Sequence, residues 1–73
     1  MTGIDVTQLV LVNVDRLRAS RNMTIYSVAA AAGITHQYLY SLRLSTERAM
    51  SLDVLARLAF ALRVHPSELL RKE

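Results

Sequence analysis

The sequence predicts an all-α fold of five short helices. Three observations carry that prediction. Apolar residues recur at helical spacing almost from end to end, only two glycines and one proline interrupt them, and Ser, Thr or Asp stands ahead of most apolar runs, where a helix N-cap belongs. At 73 residues with 52% hydrophobic content, the chain builds one small core, so residues 1–73 are expected as a single domain without a deep enclosed pocket. Cysteine is absent, which removes disulfides and thiolate zinc sites and leaves packing or oligomerisation to hold so short a chain. That composition also fits a reducing cytoplasm.

In the first segment Asp5 and Gln8 stand at capping-box spacing ahead of Val10, Val14 and Leu17, which share one stripe; this helix is expected to end near Asn22. The alternation of Ile4 and Val6 predicts an extended arm over residues 1–8. Thr24 caps a second helix with Val28, Ala29 and Ala32 inward, and Gly33 supplies the left-handed turn that residues with a Cβ resist. Thr35 caps a third helix, held by Leu39 and Leu42 with Ile34 before them. "LSTERAM" has no period and is read as a loop. Ser51 then caps "LDVLARLAFAL", with Leu52, Leu55, Leu58, Ala59 and Leu62 as its core face. In "HPSELL", Pro66 opens a fifth, two-turn helix whose Leu69 and Leu70 close the core.

Several function classes lose support at this level. The amino-terminal apolar run has no basic leader and is broken by Asn13 and Asp15, so neither a signal peptide nor a membrane span is expected. The two histidines lie far apart, no paired carboxylates share a helical face, and no glycine-rich phosphate loop exists. An enzyme, a metal site, a cofactor and a small-molecule ligand are therefore not expected. A net charge of +3 points toward a polyanionic partner.

The stretch "SVAAAAGITHQYLYSLR", Ser27 to Arg43, sets two short helices around one glycine. That is a helix-turn-helix: the second helix is held by its apolar edge and presents a polar one. An α-helix fits the DNA major groove, where Gln bonds bidentately to adenine and His, Ser and Tyr offer single donors or acceptors.

From about Val10 to Leu70 the chain resembles the Cro and lambda-repressor (XRE) family of helix-turn-helix regulators. The matching text is "LR" at Leu17 and Arg18, "MTIYSVA" from Met23, "AGIT" from Ala32 and "SLDVLARLAFALRVHPSELL" from Ser51. The resemblance implies a five-helix lambda-repressor-like domain with the helix-turn-helix at helices two and three. It implies base-edge contacts by His36, Gln37 and Ser41, with Tyr40 beside them. Thr24 and Thr35 would sit near phosphates at helix N-termini, and Arg48 in the following loop would meet phosphate or a narrow minor groove. Tyr26 and Tyr38 are expected to pack part-way into the surface.

The chain departs from the family pattern at four places. Ile25 stands where the family has a phosphate-reaching Gln. Arg43 stands where the family has a Glu paired with the arginine of helix one, here Arg18. The expectation is that Arg43 swings to the DNA backbone while Arg18 takes an acid or a carbonyl; a carboxylate bridging both would contradict it. Ser45 and Arg63 replace two turn glycines, so those turns are expected to be made another way.

Leu9, Leu11, Val12 and Phe60 lie off the expected core stripes. They are expected to form a homodimer interface, which would double the DNA contacts across an inverted repeat with half-sites about 34 Å apart. The sequence is thus read as a cytoplasmic, nucleoid-associated binder of double-stranded DNA, a repressor of the phage or plasmid kind. The rival reading is a protein-interaction or antitoxin-like adaptor on the same fold, with weak or no DNA binding.

Overall fold

The computed structural model describes residues 1–45 and 47–72; Thr46, inside the segment read as a loop, lies outside the described residues, as does Glu73. Five helices follow one another: α1 (Gly3–Ser20), α2 (Ile25–Ala32), α3 (His36–Leu44), α4 (Leu52–Leu62) and α5 (Pro66–Leu69). No strand occurs among the described residues.

The extended arm is not formed. Thr2 begins α1 with a capping box: its hydroxyl accepts from Asp5 N–H at 3.1 Å and the Asp5 carboxylate accepts from Thr2 N–H at 2.9 Å. The box satisfies two backbone donors at the start of the helix, and Ile4 and Val6 become helical residues rather than strand. Gln8 is released from the capping role. Its amide instead donates across the molecule to the Leu42 carbonyl at 3.1 Å and the Arg43 carbonyl at 3.4 Å, tying α1 to the end of α3.

The core holds Val10, Leu11, Val14 and Leu17 of α1, Val28, Ala29 and Ala32 of α2, Leu39 and Leu42 of α3, Val54, Leu58, Ala59 and Leu62 of α4, and Leu69 of α5. Two expectations for its edge fail. Val54 is buried in place of Leu52, because the stripe at 54, 58 and 62 points inward and leaves Leu52, in the first turn, overhanging and 82% exposed. Leu69 is sealed while Leu70 is 42% exposed.

Two polar side chains are buried, and each fastens α1 to a distant segment. Thr7 Oγ1 donates to the Gly3 carbonyl at 2.8 Å and accepts from Met50 N–H at 2.7 Å. Asn13 Nδ2 donates to the Leu69 and Arg71 carbonyls, both at 2.8 Å. These satisfy carbonyls and an amide that the end of α5 and the loop before α4 would otherwise bury unpaired.

The turns explain the missing glycines. Gly33 ends α2 in the left-handed region at φ 72°, and Ile34 N–H closes the motif on the Ala29 carbonyl at 3.0 Å. Arg63 ends α4 in the same conformation, φ 57°, with Val64 N–H on the Ala59 carbonyl at 3.0 Å. That turn is therefore made as glycine would make it, at a conformational cost. Ser45 does differ: its backbone is extended, and its hydroxyl accepts from Glu47 N–H at 3.1 Å and Arg48 N–H at 2.9 Å.

Candidate nucleic-acid interface

Among the described residues, helix α3 lies against α1 and α2, its backbone standing away from those of α4 and α5. Leu39 and Leu42 anchor it. At 100° per residue the opposite side carries His36, Gln37, Tyr40, Ser41 and Leu44, with Gln37, Ser41 and Leu44 at i, i+4 and i+7. His36, Gln37, Tyr40 and Leu44 are exposed and Ser41 is half-buried. The four residues expected to face base edges therefore do share one outward strip.

Each has a definite setting. The His36 ring lies 4.4 Å from that of Tyr26, which fixes it against α2. The Ser41 hydroxyl donates to the Tyr38 carbonyl at 2.8 Å and receives Arg48 Nη1 at 3.5 Å, so it is only partly available. Among the described residues no hydrogen bond engages the Gln37 side chain, which leaves its amide facing solvent. Tyr38 packs against the core from its half-buried site and lies under the Arg48 guanidinium, 5.7 Å from the ring centre.

Thr24 and Thr35 are both exposed N-caps. Thr24 Oγ1 accepts from Ser27 N–H and Thr35 Oγ1 from Tyr38 N–H, each at 3.1 Å. A cap of this kind satisfies the third backbone donor and leaves the first two of each helix pointing outward at the positive end of the helix dipole. Such ends suit phosphates.

Arginines stand on both flanks of the strip. Arg48, oriented by the Ser45 turn, lies beside Ser41 and Tyr38. Arg43 lies on the α1 side, and here the sequence reading is corrected. Asp15 Oδ1 sits 2.6 Å from Arg18 and 3.8 Å from Arg43, so one carboxylate bridges both arginines. Arg18 takes the acid, as expected, and also donates to the Met23 carbonyl at 3.3 Å. Arg43 does not swing free; a third charge on α1, absent from the reading of the pair, holds it back. Ile25 turns inward and joins the partly buried apolar residues against the core. It lines a cleft of about 320 Å³ between α1, α2 and α3, together with Leu11, Leu39, Arg18 and Arg43.

The residues expected to form a dimer face are not gathered. Leu11 is 3% exposed and belongs to the core, because it lies next to the Val10 and Val14 stripe. Leu9 is half-buried, and Val12 lines a groove with Gln8, Asp15 and Arg43. Phe60 lies elsewhere, beside Ala31 and Arg57.

A family model described as the Cro/C1-type HTH DNA-binding domain matches residues 13–73. The chain belongs to this family. Its class is thus that of DNA-binding regulators rather than enzymes. The fold is similar to the crystal structure of the restriction-modification controller protein C.AhdI from Aeromonas hydrophila, with a TM-score of 0.73 and 25% identity over 89% of this chain and 96% of that one. A search of curated proteins returned no match. No helix among the described residues is long and apolar enough to cross a membrane.

Sequence reasoning missed three participants. Leu44 was absorbed into the loop, although it continues the Gln37 and Ser41 stripe. Asp15 was read only as a break in an apolar run. The groove beside Leu52 and Leu70 was missed because both leucines were assigned to the core.

Proposed function

We propose that the chain is a sequence-specific binder of double-stranded DNA that acts as a transcriptional repressor of the phage or plasmid kind, lying across an inverted repeat as a homodimer. The observation that carries this reading is the outward strip of α3, bounded by Arg43 and Arg48 and by two capped helix N-termini. On it, His36, Gln37, Tyr40 and Ser41 read base edges, while Thr24, Thr35 and Arg48 set register on phosphates; Arg43 joins them when it leaves Asp15. The likeness to a restriction-modification controller supports regulation as the task. Action on DNA places the protein in the cytoplasm, on the nucleoid.

The dimer is best supported on a different face from the one expected. Val6, Val10, Met50, Leu52, Leu55 and Leu70 line a groove of about 270 Å³ between α1, α4 and α5 that contains no charged side chain. Leu52 overhangs it as a knob beside its own hole, which is what a two-fold contact requires. The nearest charges, Asp53 and Arg71, are already paired with Arg57 and Glu68 within the chain, so the contact the face offers is apolar. A standard interface takes about 800 Å² per partner, roughly a sixth of the 4732 Å² exposed by the chain. The face excludes α3 and leaves the reading strip free.

Two measurements test the whole reading. Duplex selection from a random pool should return an inverted repeat, and affinity should fall steeply with salt because phosphate neutralisation releases counterions. Light scattering should show a dimer that Leu52→Glu converts to a helical monomer. Salt-independent or absent duplex binding would favour the adaptor reading, for which the inward Ile25 and the restrained Arg43 speak. A monomer at high micromolar concentration, or a dimer indifferent to Leu52→Glu, removes the proposed interface.

A further inference from the structure

Tyr40 and Leu44 are 63% and 65% exposed, one helical turn apart on the outward strip of α3. Neither belongs to the core or to the partly buried apolar residues packed against it. Folding gives no reason to hold a leucine and a tyrosine side by side in water. The residues around them are polar or charged: His36 and Gln37 toward the N-terminus, Ser41 beside them, and the two arginines at the flanks. An apolar pair on the C-terminal half of such a strip, with polar side chains ahead of it and arginines on its flanks, is matched by an apolar feature inside an otherwise polar groove.

The major groove has one such feature, the C5 methyl group of thymine. Resting on the DNA-binding reading above, we infer that Leu44, supported by Tyr40, recognises thymine methyl groups, and that much of the chain's sequence preference is apolar rather than hydrogen-bonded. The setting of the strip agrees. Ser41 is drawn into bonds with the Tyr38 carbonyl and Arg48, and His36 is stacked on Tyr26, so Gln37 is the strip's least encumbered hydrogen-bonding side chain. Gln37 suits adenine, whose partner base is thymine. The two preferences reinforce each other in a half-site that contains A·T pairs where α3 enters.

The test uses the full chain and the duplex selected by it from a random pool. Each thymine is replaced in turn by deoxyuridine, which deletes the methyl and nothing else. Burying one methyl is worth about a four-fold change in affinity. The wild-type chain should therefore lose about four-fold at one or two positions per half-site and nothing at the others. Leu44→Ala, on an exposed side chain, should fold normally and bind the thymine and deoxyuridine duplexes alike at the position that Leu44 faces, while Gln37→Ala should keep the methyl dependence. A wild-type chain that binds its duplex with no methyl-sensitive thymine overturns the inference and leaves DNA binding standing; so does a Leu44→Ala chain with the full methyl dependence. Absence of salt-dependent duplex binding overturns both.

Discussion

Asp15→Asn should tighten DNA binding. The substitution keeps the shape of the side chain and removes the charge that bridges Arg18 at 2.6 Å and Arg43 at 3.8 Å. Two unit charges at 3.8 Å attract by about 1 kcal/mol at the dielectric of water. The Arg43 and Asp15 side chains are 48% and 45% exposed, so the net worth of this pair falls within the roughly 0–1 kcal/mol range of surface ion pairs. A phosphate contact by Arg43 releases about one counterion, which multiplies affinity by about five at roughly 0.15 M salt, or about 1 kcal/mol. The two competitors are of the same order, the phosphate contact matching the upper end of the pair's range. Asp15 therefore cancels much of what Arg43 can contribute, and removing its charge restores it.

The expected result is a two- to five-fold increase in affinity, roughly, with the slope of log K against log salt steeper by about 0.9. Fluorescence anisotropy of a labelled duplex over a salt series reads both. Asp53→Asn is the control. Asp53 pairs with Arg57 on α4 at 2.9 Å, so it changes the net charge equally without freeing a cation on α3. Equal shifts for the two variants, or an unchanged slope for Asp15→Asn, would refute the competition. Thermal stability should fall by only a few degrees, since Arg18 retains the Met23 carbonyl and surface pairs are worth about 1 kcal/mol or less.

Other perturbations probe the frame. Asn13→Ala strips two carbonyls of donors held at 2.8 Å, and should lower the melting temperature by roughly 10–25 °C, from about 2–4 kcal/mol; a loss of only one or two degrees would show that water replaces the amide. Asn13→Asp should be worse at neutral than at acid pH. Its carboxyl would face two carbonyl oxygens, which raises its folded-state pKa above the unfolded value, so stability falls as pH climbs past about 4, and denaturant titrations at several pH values check the sign. Arg63→Gly should gain about 0.5–1 kcal/mol by relieving the residue at φ 57°, whereas Gly33→Ala, at φ 72° with Arg57 Nη1 only 3.1 Å from the added Cβ, should lose about 1–2 kcal/mol; urea midpoints moving the other way would contradict the strain argument.

The sequence showed what local chemistry decides. Thr24, Gly33, Thr35 and Ser51 marked their helix ends correctly, because a cap or a left-handed turn is set by the residues within one helical turn of it. The strip of α3 was legible for the same reason. What escaped is what only packing decides. Thr2 competed with the strand-like alternation of Ile4 and Val6, and won because helix formation lets Val6 pack on the core and Thr7 reach Met50. Leu52 looked like core because it is a leucine in an apolar helix; its position in the first turn, beyond the last covering residue, is a property of how α4 lies on α1 and α5. Asp15 acquired its role from two arginines, one of them on another helix.

Those long-range links converge on α1. At 18 residues and about 27 Å, α1 nearly matches the longest dimension of the molecule, 29 Å. Gln8 and Asp15 engage α3, Asn13 engages the end of α5, and Thr7 engages the segment leading into α4. Among the described residues the backbone of α3 approaches only those of α1 and α2. In the proposed dimer two routes then link α3 to the Leu52 face: α1, through the bonds of Gln8 and Thr7, and α2, which packs on both α3 and α4. In that proposed dimer a rigid link of either kind would favour one half-site separation over others, so the buried bonds of Thr7 and Asn13 would bear on operator choice alongside the α3 strip.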